Sequence, residues 1–173
     1  SLIKLAKKMN TPVFVDPAAI KNFGKYHGAD CITPNRTEAS VVTQINATEA
    51  DDATLHKIGR KLQKDLAIEN VVLTLDRQGM LLLKPGQTPL SVPTLVREVY
   101  DVTGAGDMVL AVLAAARANG VDWPEALELA NAAAGLEVEK FGVVPITLDE
   151  LLLAVLQRGR AALGKHRTLE QLA

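Results

Sequence analysis

Three short apolar runs, each cut off by a polar turn, limit what this chain can become. They are Val13-Phe14-Val15 before Asp16-Pro17, Ala29 to Thr33 before Pro34, and Val71 to Leu75 before Asp76. Mostly apolar runs of this length fit strands buried on both faces. Helical patterns alternate with them. Leu2, Leu5, Ala6 and Met9 recur at helical spacing until Thr11-Pro12, and Asn35 can cap a helix over Arg36 to Thr43. Between positions 50 and 67, Leu55, Ile58, Leu62 and Leu66 form one apolar stripe. Strands alternating with helices over short connections predict a three-layer α/β fold with a mostly parallel sheet. The ligand of such a sheet sits beyond the carboxyl ends of its strands.

After the third run the texture changes to hairpins. Asp76 to Gly79 turns the chain into Met80 to Lys84, Pro85-Gly86 turns it toward Pro89 to Val92, and Val96 to Val99 follows. These predict antiparallel strands at the edge of the sheet. A helix over Asp107 to Asn119 has almost no polar face and is expected to be buried, with Gly120 as its C-terminal cap. Asp122-Trp123-Pro124 opens another helix to about Lys140, and Thr147 with Glu150 has capping-box spacing for a last one to about Arg160.

The composition excludes several classes of partner. With 19 basic and 20 acidic residues the net charge is −1, so no field favours a polyanion or a membrane surface. Aromatic residues at 3% leave too few stacking platforms for single-stranded nucleic acid. The lone Cys31 cannot form a disulfide within the chain and lies in an apolar run, the pattern of a buried reduced thiol and of a cytoplasmic protein. The longest purely apolar stretch, Met108 to Ala116, is far short of the roughly 20 residues that cross a bilayer.

The chemistry is concentrated in Asp101-Val102-Thr103-Gly104-Ala105-Gly106-Asp107. Two glycines flanking an alanine before a helix offer backbone amides to an anion, as around a transferring phosphoryl group. Asp107 in the first turn is placed to accept the proton of an attacking hydroxyl. The same residues also make an ordinary tight turn followed by an acidic residue that suits the helix dipole.

Other segments carry the same double reading. Asn35 and Glu38 offer hard oxygen ligands for magnesium held through water, and they are also spaced as a capping box. Thr74, Asp76 and Gly79 form a strand end and turn suited to run beside phosphates, or a plain hairpin. Asn131, alone among small residues in Ala130 to Gly135, can reach an adenine or simply face solvent.

The order of these parts resembles the C-terminal half of ribokinase-like sugar kinases. Asp-Pro follows one strand, Thr-Pro-Asn-x-x-Glu the next and a Thr-containing turn the third. Then come Asp-x-x-Gly-Ala-Gly-Asp and an Ala-Asn-Ala-Ala-Ala helix. The resemblance runs from about residue 1 to 160. Within the family, Val99-Tyr100 leading into Asp101, with Pro93-Thr94 upstream and Lys25 to Asp30, is similar to the branch acting on D-glycero-D-manno-heptose 7-phosphate. Membership implies a partial ribokinase-like fold and transfer of phosphate from ATP to the anomeric hydroxyl, giving the 1,7-bisphosphate that feeds lipopolysaccharide.

It further implies roles for particular residues. Asp107 is the catalytic base, and Gly104, Ala105 and Gly106 form the anion hole. Asn35 and Glu38 organise Mg2+, and Thr74, Asp76, Gly79 and Asn131 face the nucleotide. Asp101 and Thr103 hold a monovalent cation such as K+. The partners are ATP and a small sugar phosphate, and the complete enzyme is a homodimer in the cytoplasm.

Two features depart from the pattern. Ala18 and Ala19 follow Asp16-Pro17 where some relatives have a basic residue, and the family's N-terminal half, with most acceptor contacts, is not matched. Residues 161 to 173 resemble a linker to a nucleotidyltransferase and also read as a frayed helix. A ribokinase-like kinase for another sugar or a nucleoside, and a non-catalytic nucleotide-binding module, are the alternatives.

Overall fold

A computed structural model of the chain describes residues 2–94, 104–140 and 145–164, the backbone alone from 157 onward. The elements in chain order are α1 (Leu2–Lys8), β1 (Phe14–Val15), β2 (Cys31–Ile32), α2 (Arg36–Thr43), α3 (Asp52–Leu66), β3 (Asn70–Thr74), β4 (Met80–Leu83), β5 (Leu90–Val92), α4 (Ala105–Ala118), α5 (Trp123–Val138) and α6 (Leu148–Gly164). The strands lie side by side in sequence order. β1, β2 and β3 pair in parallel, while β4 is antiparallel to both β3 and β5. Four of the five described strands therefore share a direction, and the antiparallel hairpins expected from the sequence sit at one side.

Alternation along these strands divides the core into two layers. Ile32, Val71, Leu73, Leu81 and Leu83 pack with Ile3, Ala39, Leu55, Ile58 and Leu62, so α1, α2 and α3 cover one face. Cys31, Val72, Met80 and Leu82 point the other way, onto Val109, Leu113, Leu127 and Ala130 of α4 and α5. Successive side chains of a strand point to opposite faces, so strands apolar at every position hold helices on both sides. The result is a partial three-layer α/β fold. Cys31 is fully buried there, and burial pushes its thiol pKa well above the ordinary value.

Helix ends follow their cap residues. Asp51 accepts from the Thr54 amide at 2.9 Å and Asp122 from the Glu125 amide at 2.9 Å. Asn35 and Glu38 form the full reciprocal capping box of α2. At α6, Glu150 accepts from the Thr147 amide at 2.8 Å and pairs with Lys140 at 2.7 Å. The Lys140 bond and the Thr147 donors hold its carboxyl at about 2.

Two expectations need correction. α4 begins at Ala105 rather than Asp107, and it is only half covered: Val109, Leu113 and Ala116 are buried while Ala111 and Ala115 are exposed. Among the described residues only one side of α4 meets the sheet and α5, and its apolar composition does not by itself supply a second partner. α6 runs to Gly164, a few residues beyond the helix end expected at about Arg160. The strand expected at Val96 to Val99 lies outside the described residues.

One close approach sets the seating of α3 on the sheet. A Cβ at Gly59 would come within 2.5 Å and 2.6 Å of the two Leu83 methyls and 2.9 Å of its Cγ. Leu83 is fully buried and has no space to yield. Alanine gains about 1 kcal/mol of helix propensity over glycine, while overpacking a tight core costs about 1–3 kcal/mol. Gly59→Ala is therefore expected to lower stability by about 1 kcal/mol net, read as a shift in the denaturant midpoint.

Candidate active site

The parallel strands deliver their terminal residues to one end of the sheet. Asp16 follows β1, Thr33 and Asn35 follow β2, and Thr74 ends β3, where a parallel bridge joins it to Asn35. β4 runs the opposite way, so its first residue, Met80, and the preceding turn arrive at the same end. α4 also starts there: a Cβ at Gly106 would lie 3.5 Å from Asp16 Oδ2. Together these elements enclose a cleft of about 650 Å³ lined by Asp16, Thr33, Glu38, Asp76, Gly106 and Asn131 among others. A sheet with parallel strands leaves its crevice at the strand carboxyl ends because the helices cover both faces.

Most of the residues singled out from the sequence lie among the described residues. Gly104 caps α4 in a left-handed conformation at φ 91°, and Ala105 and Gly106 form the first turn of the helix. The first N–H groups of an α-helix have no partner within it, so their dipoles favour an anion at this end. Ala105 and Gly106 line the cleft. Asp107, next along the helix, is exposed and close enough for its charge to act on Asp16 and Glu137. Asp101 and Thr103 lie outside the described residues.

Asn35 Oδ1 accepts from the Glu38 amide at 2.9 Å, and Glu38 Oε2 accepts from the Asn35 amide at 2.8 Å. The capping reading is thus realised, and it commits the Asn35 oxygen and one Glu38 oxygen. It also places Glu38 in the cleft wall. Burial raises the Glu38 pKa, the Asn35 amide bond opposes this, and the Asp16 charge adds to the rise.

The turn after β3 runs along the cleft with Asp76, Arg77 and Gly79 in its wall. Asp76 stands at φ 52° and its carboxylate lies 3.8 Å from Arg36 Nε. The Thr74 amide donates to the Pro34 carbonyl at 3.1 Å, which ties β3 to the segment carrying Asn35. Asn131 does not face solvent. It is 5% exposed, and its amide nitrogen donates to the Pro93 carbonyl at 2.8 Å, anchoring α5 to the chain after β5.

The structure adds two residues to the site that sequence reasoning left without a role. Asp16 accepts from the Thr33 hydroxyl at 3.2 Å, and both side chains line the cleft. Burial raises the Asp16 pKa, the Thr33 hydrogen bond lowers it, and the charge of Asp107 raises it again. The signal in the sequence was Asp-Pro and Thr-Pro at two strand ends. The contact between Asp16 and Thr33 became legible only once β1 and β2 were known to be neighbours.

No group of three or more histidine, cysteine, aspartate or glutamate side chains among the described residues forms a metal cage. Magnesium does not need one: it keeps several waters and is held by one or two carboxylates together with phosphate oxygens. Asp16 and Glu38, both in the cleft wall and both raised in pKa chiefly by burial, offer carboxyl groups of that kind. No helix among the described residues is long and apolar enough to cross a membrane.

Comparison with known proteins agrees with this fold. The Arabidopsis thaliana ribokinase structure complexed with ribose and ATP superposes with a TM-score of 0.81 at 28% identity, covering 88% of this chain and 50% of that one. Phosphofructokinase-2 from Escherichia coli, in complex with substrates and products, gives 0.76 at 18% identity over 88% of this chain and 49% of its own, a likeness of fold alone. The bifunctional protein HldE of Pectobacterium atrosepticum is 45% identical over 164 residues, which is 95% of this chain and 33% of that protein. HldE of Hahella chejuensis is 43% identical over 172 residues, 99% of this chain and 35% of that protein. The chain thus spans about a third of the curated relatives and half of the solved chains. The model of the pfkB family carbohydrate kinases matches residues 1–150, and this chain, with a ribokinase-like fold and its cleft at the strand ends, belongs to that family.

Proposed function

We propose that this chain is the nucleotide-binding part of an ATP-dependent kinase that phosphorylates the anomeric hydroxyl of D-glycero-D-manno-heptose 7-phosphate. The observation that carries the kinase reading is the convergence, around one cleft, of the α4 N-terminus, the Asp16–Thr33 pair, the Asn35–Glu38 box and the turn after β3. The heptose branch rests on the sequence resemblance around Asp101 to Asp107 and Lys25 to Asp30, and on identity above 40% to proteins named HldE.

In this reading the γ-phosphoryl group lies against the amides that open α4, with negative charge growing on its oxygens where the helix dipole is most favourable. The sugar oxygen attacks phosphorus, the bond to the β-phosphate oxygen breaks, and the sugar proton passes to Asp107. ADP and the 1,7-bisphosphate are the products. Asp16 and Glu38, in the cleft wall, would hold Mg2+, which would supply neutralisation of phosphate charge. Thr74, Asp76 and Gly79 border the nucleotide, and Asn131 supports the adenine side through its tie to Pro93. The sequence resemblance further supports a cytoplasmic homodimer.

The test is ATP-dependent phosphorylation by the full-length protein of heptose 7-phosphate, ribose, fructose and a ketodeoxysugar acid. Turnover confined to the heptose is the expected result. Turnover of another sugar would discard the substrate and keep the mechanism. Tight ATP binding with no turnover of any sugar would replace the kinase by a nucleotide-binding module.

A further inference from the structure

Arg36 occupies the second position of Asn35-Arg36-Thr37-Glu38, between the two members of the capping box, and its side chain is only 12% exposed. It faces away from them. Its guanidinium donates to the Ala47 carbonyl and to Gln78 Oε1, and Nε lies 3.8 Å from the Asp76 carboxylate. One planar cation thus spans three segments: the start of α2, the loop after it and the turn that borders the nucleotide cleft.

The two ends of this span are held by different contacts. Ala47 is buried, and its amide donates at 2.8 Å to Ser40 Oγ, which itself donates at 2.7 Å to the Arg36 carbonyl, so the base of the clamp is closed on α2. The turn closes the β3–β4 hairpin, with Leu75 N donating to Gly79 O at 2.8 Å. It closes on itself through Gln78 N to Leu75 O at 2.9 Å and Gly79 N to Asp76 O at 3.1 Å, with Asp76 in the left-handed region at φ 52°. A non-glycine residue held there is strained and persists only where its surroundings hold it. Arg36 contacts both Asp76 and Gln78.

Charge points the same way. Asp16, Glu38 and Asp76 all line a cleft that, in the proposed function, receives a polyphosphate. Asp76 is the one of the three that stands in the turn itself. A fixed guanidinium behind it cancels that repulsion, and the planar fork holds two acceptors at once, which an ammonium cannot do in the same way.

Resting on the nucleotide reading of the cleft, we propose that Arg36 is a positioning residue for ATP: it sets the turn Asp76 to Gly79 against the cleft and neutralises Asp76. The experiment compares wild type, Arg36→Met, Arg36→Lys, Asp76→Asn and the Arg36→Met/Asp76→Asn pair in the full-length protein. Arg36→Met is expected to weaken Mg·ATP binding about tenfold by calorimetry and to raise KM for ATP by the same factor, the scale of a lost charge-assisted contact. The KM for sugar stays unchanged. Arg36→Lys retains part of the affinity, and adding Asp76→Asn to Arg36→Met restores part of it by removing the exposed carboxylate.

Equal ATP affinity in wild type and Arg36→Met overturns the inference. So does a loss that tracks a lowered Tm and is not relieved by Asp76→Asn, which is the mark of a purely structural contact. If wild type itself binds no ATP, the nucleotide reading fails separately. Hydrogen exchange at the amides of residues 77–79 then still decides whether Arg36 holds the turn: acceleration in Arg36→Met supports the positioning role, and unchanged exchange removes it.

Discussion

Replacing Asp107 by asparagine in the full-length protein is expected to lower kcat by about 10² to 10⁴-fold, the usual contribution of a positioned general base. The substitution keeps the shape of the side chain and its place in the first turn of α4 while removing the ability to take a proton. ATP binding should therefore survive, because the amides of Ala105 and Gly106 that line the cleft are backbone groups. A second consequence is electrostatic. The charge of Asp107 is one of the causes that raise the Asp16 pKa, so Asp16 should titrate closer to its ordinary value in the variant. Single-turnover kinetics with saturating ATP separate the two effects. Unaltered turnover would take Asp107 out of the chemistry.

Gly79→Ala is expected to cost about 3 kcal/mol or more and to abolish nucleotide binding, because backbone strain and a steric clash act together. Gly79 adopts φ 88° and ψ −128°, a region that residues with a Cβ rarely enter. An added Cβ would lie 2.0 Å from the Val92 carbonyl oxygen, 2.7 Å from the Thr94 amide and 2.8 Å from the Pro93 carbonyl carbon, all backbone atoms with no rotamer to change. Either the turn after β3 leaves the cleft or the strand end at β5 is pushed away, and Asn131 loses its anchor at Pro93 in the second case.

Gly86 supplies the control. It also has a positive φ, 68°, but an added Cβ would meet nothing within 4 Å. Gly86→Ala therefore isolates the conformational cost, about 1 kcal/mol. Denaturant unfolding of both variants, with ATP affinity measured alongside, checks the comparison. Similar losses for the two would show that the contacts around Gly79 contribute nothing beyond backbone strain.

The strands, helices and most of their ends were legible in the order of residues because local physics specifies them. The runs at Val13 to Val15, Ala29 to Thr33 and Val71 to Leu75 are mostly apolar, so they predict a sheet covered on both sides. The cap residues Asn35, Asp51 and Asp122 set helix starts through bonds only three residues long. The glycine loop and Asp107 stood out for the same reason: a turn and a helix start are both written within a few consecutive positions.

What needed the tertiary structure was every relation between distant positions. Asp16 and Thr33 are 17 residues apart and meet only because β1 and β2 pair in parallel. Arg36 and Gln78 are 42 apart and meet because β3 returns beside the segment that starts α2. Asn131 reads from the sequence as an amide that reaches an adenine or faces solvent, and it is buried against Pro93, 38 residues away. α4, apolar nearly all round, reads as fully buried but presents Ala111 and Ala115 to solvent. Periodicity and capping report what a segment prefers, over hydrogen bonds of three or four residues. Which segment lies across the cleft, and which carboxylate therefore feels which charge, depends on strand pairing over tens of residues.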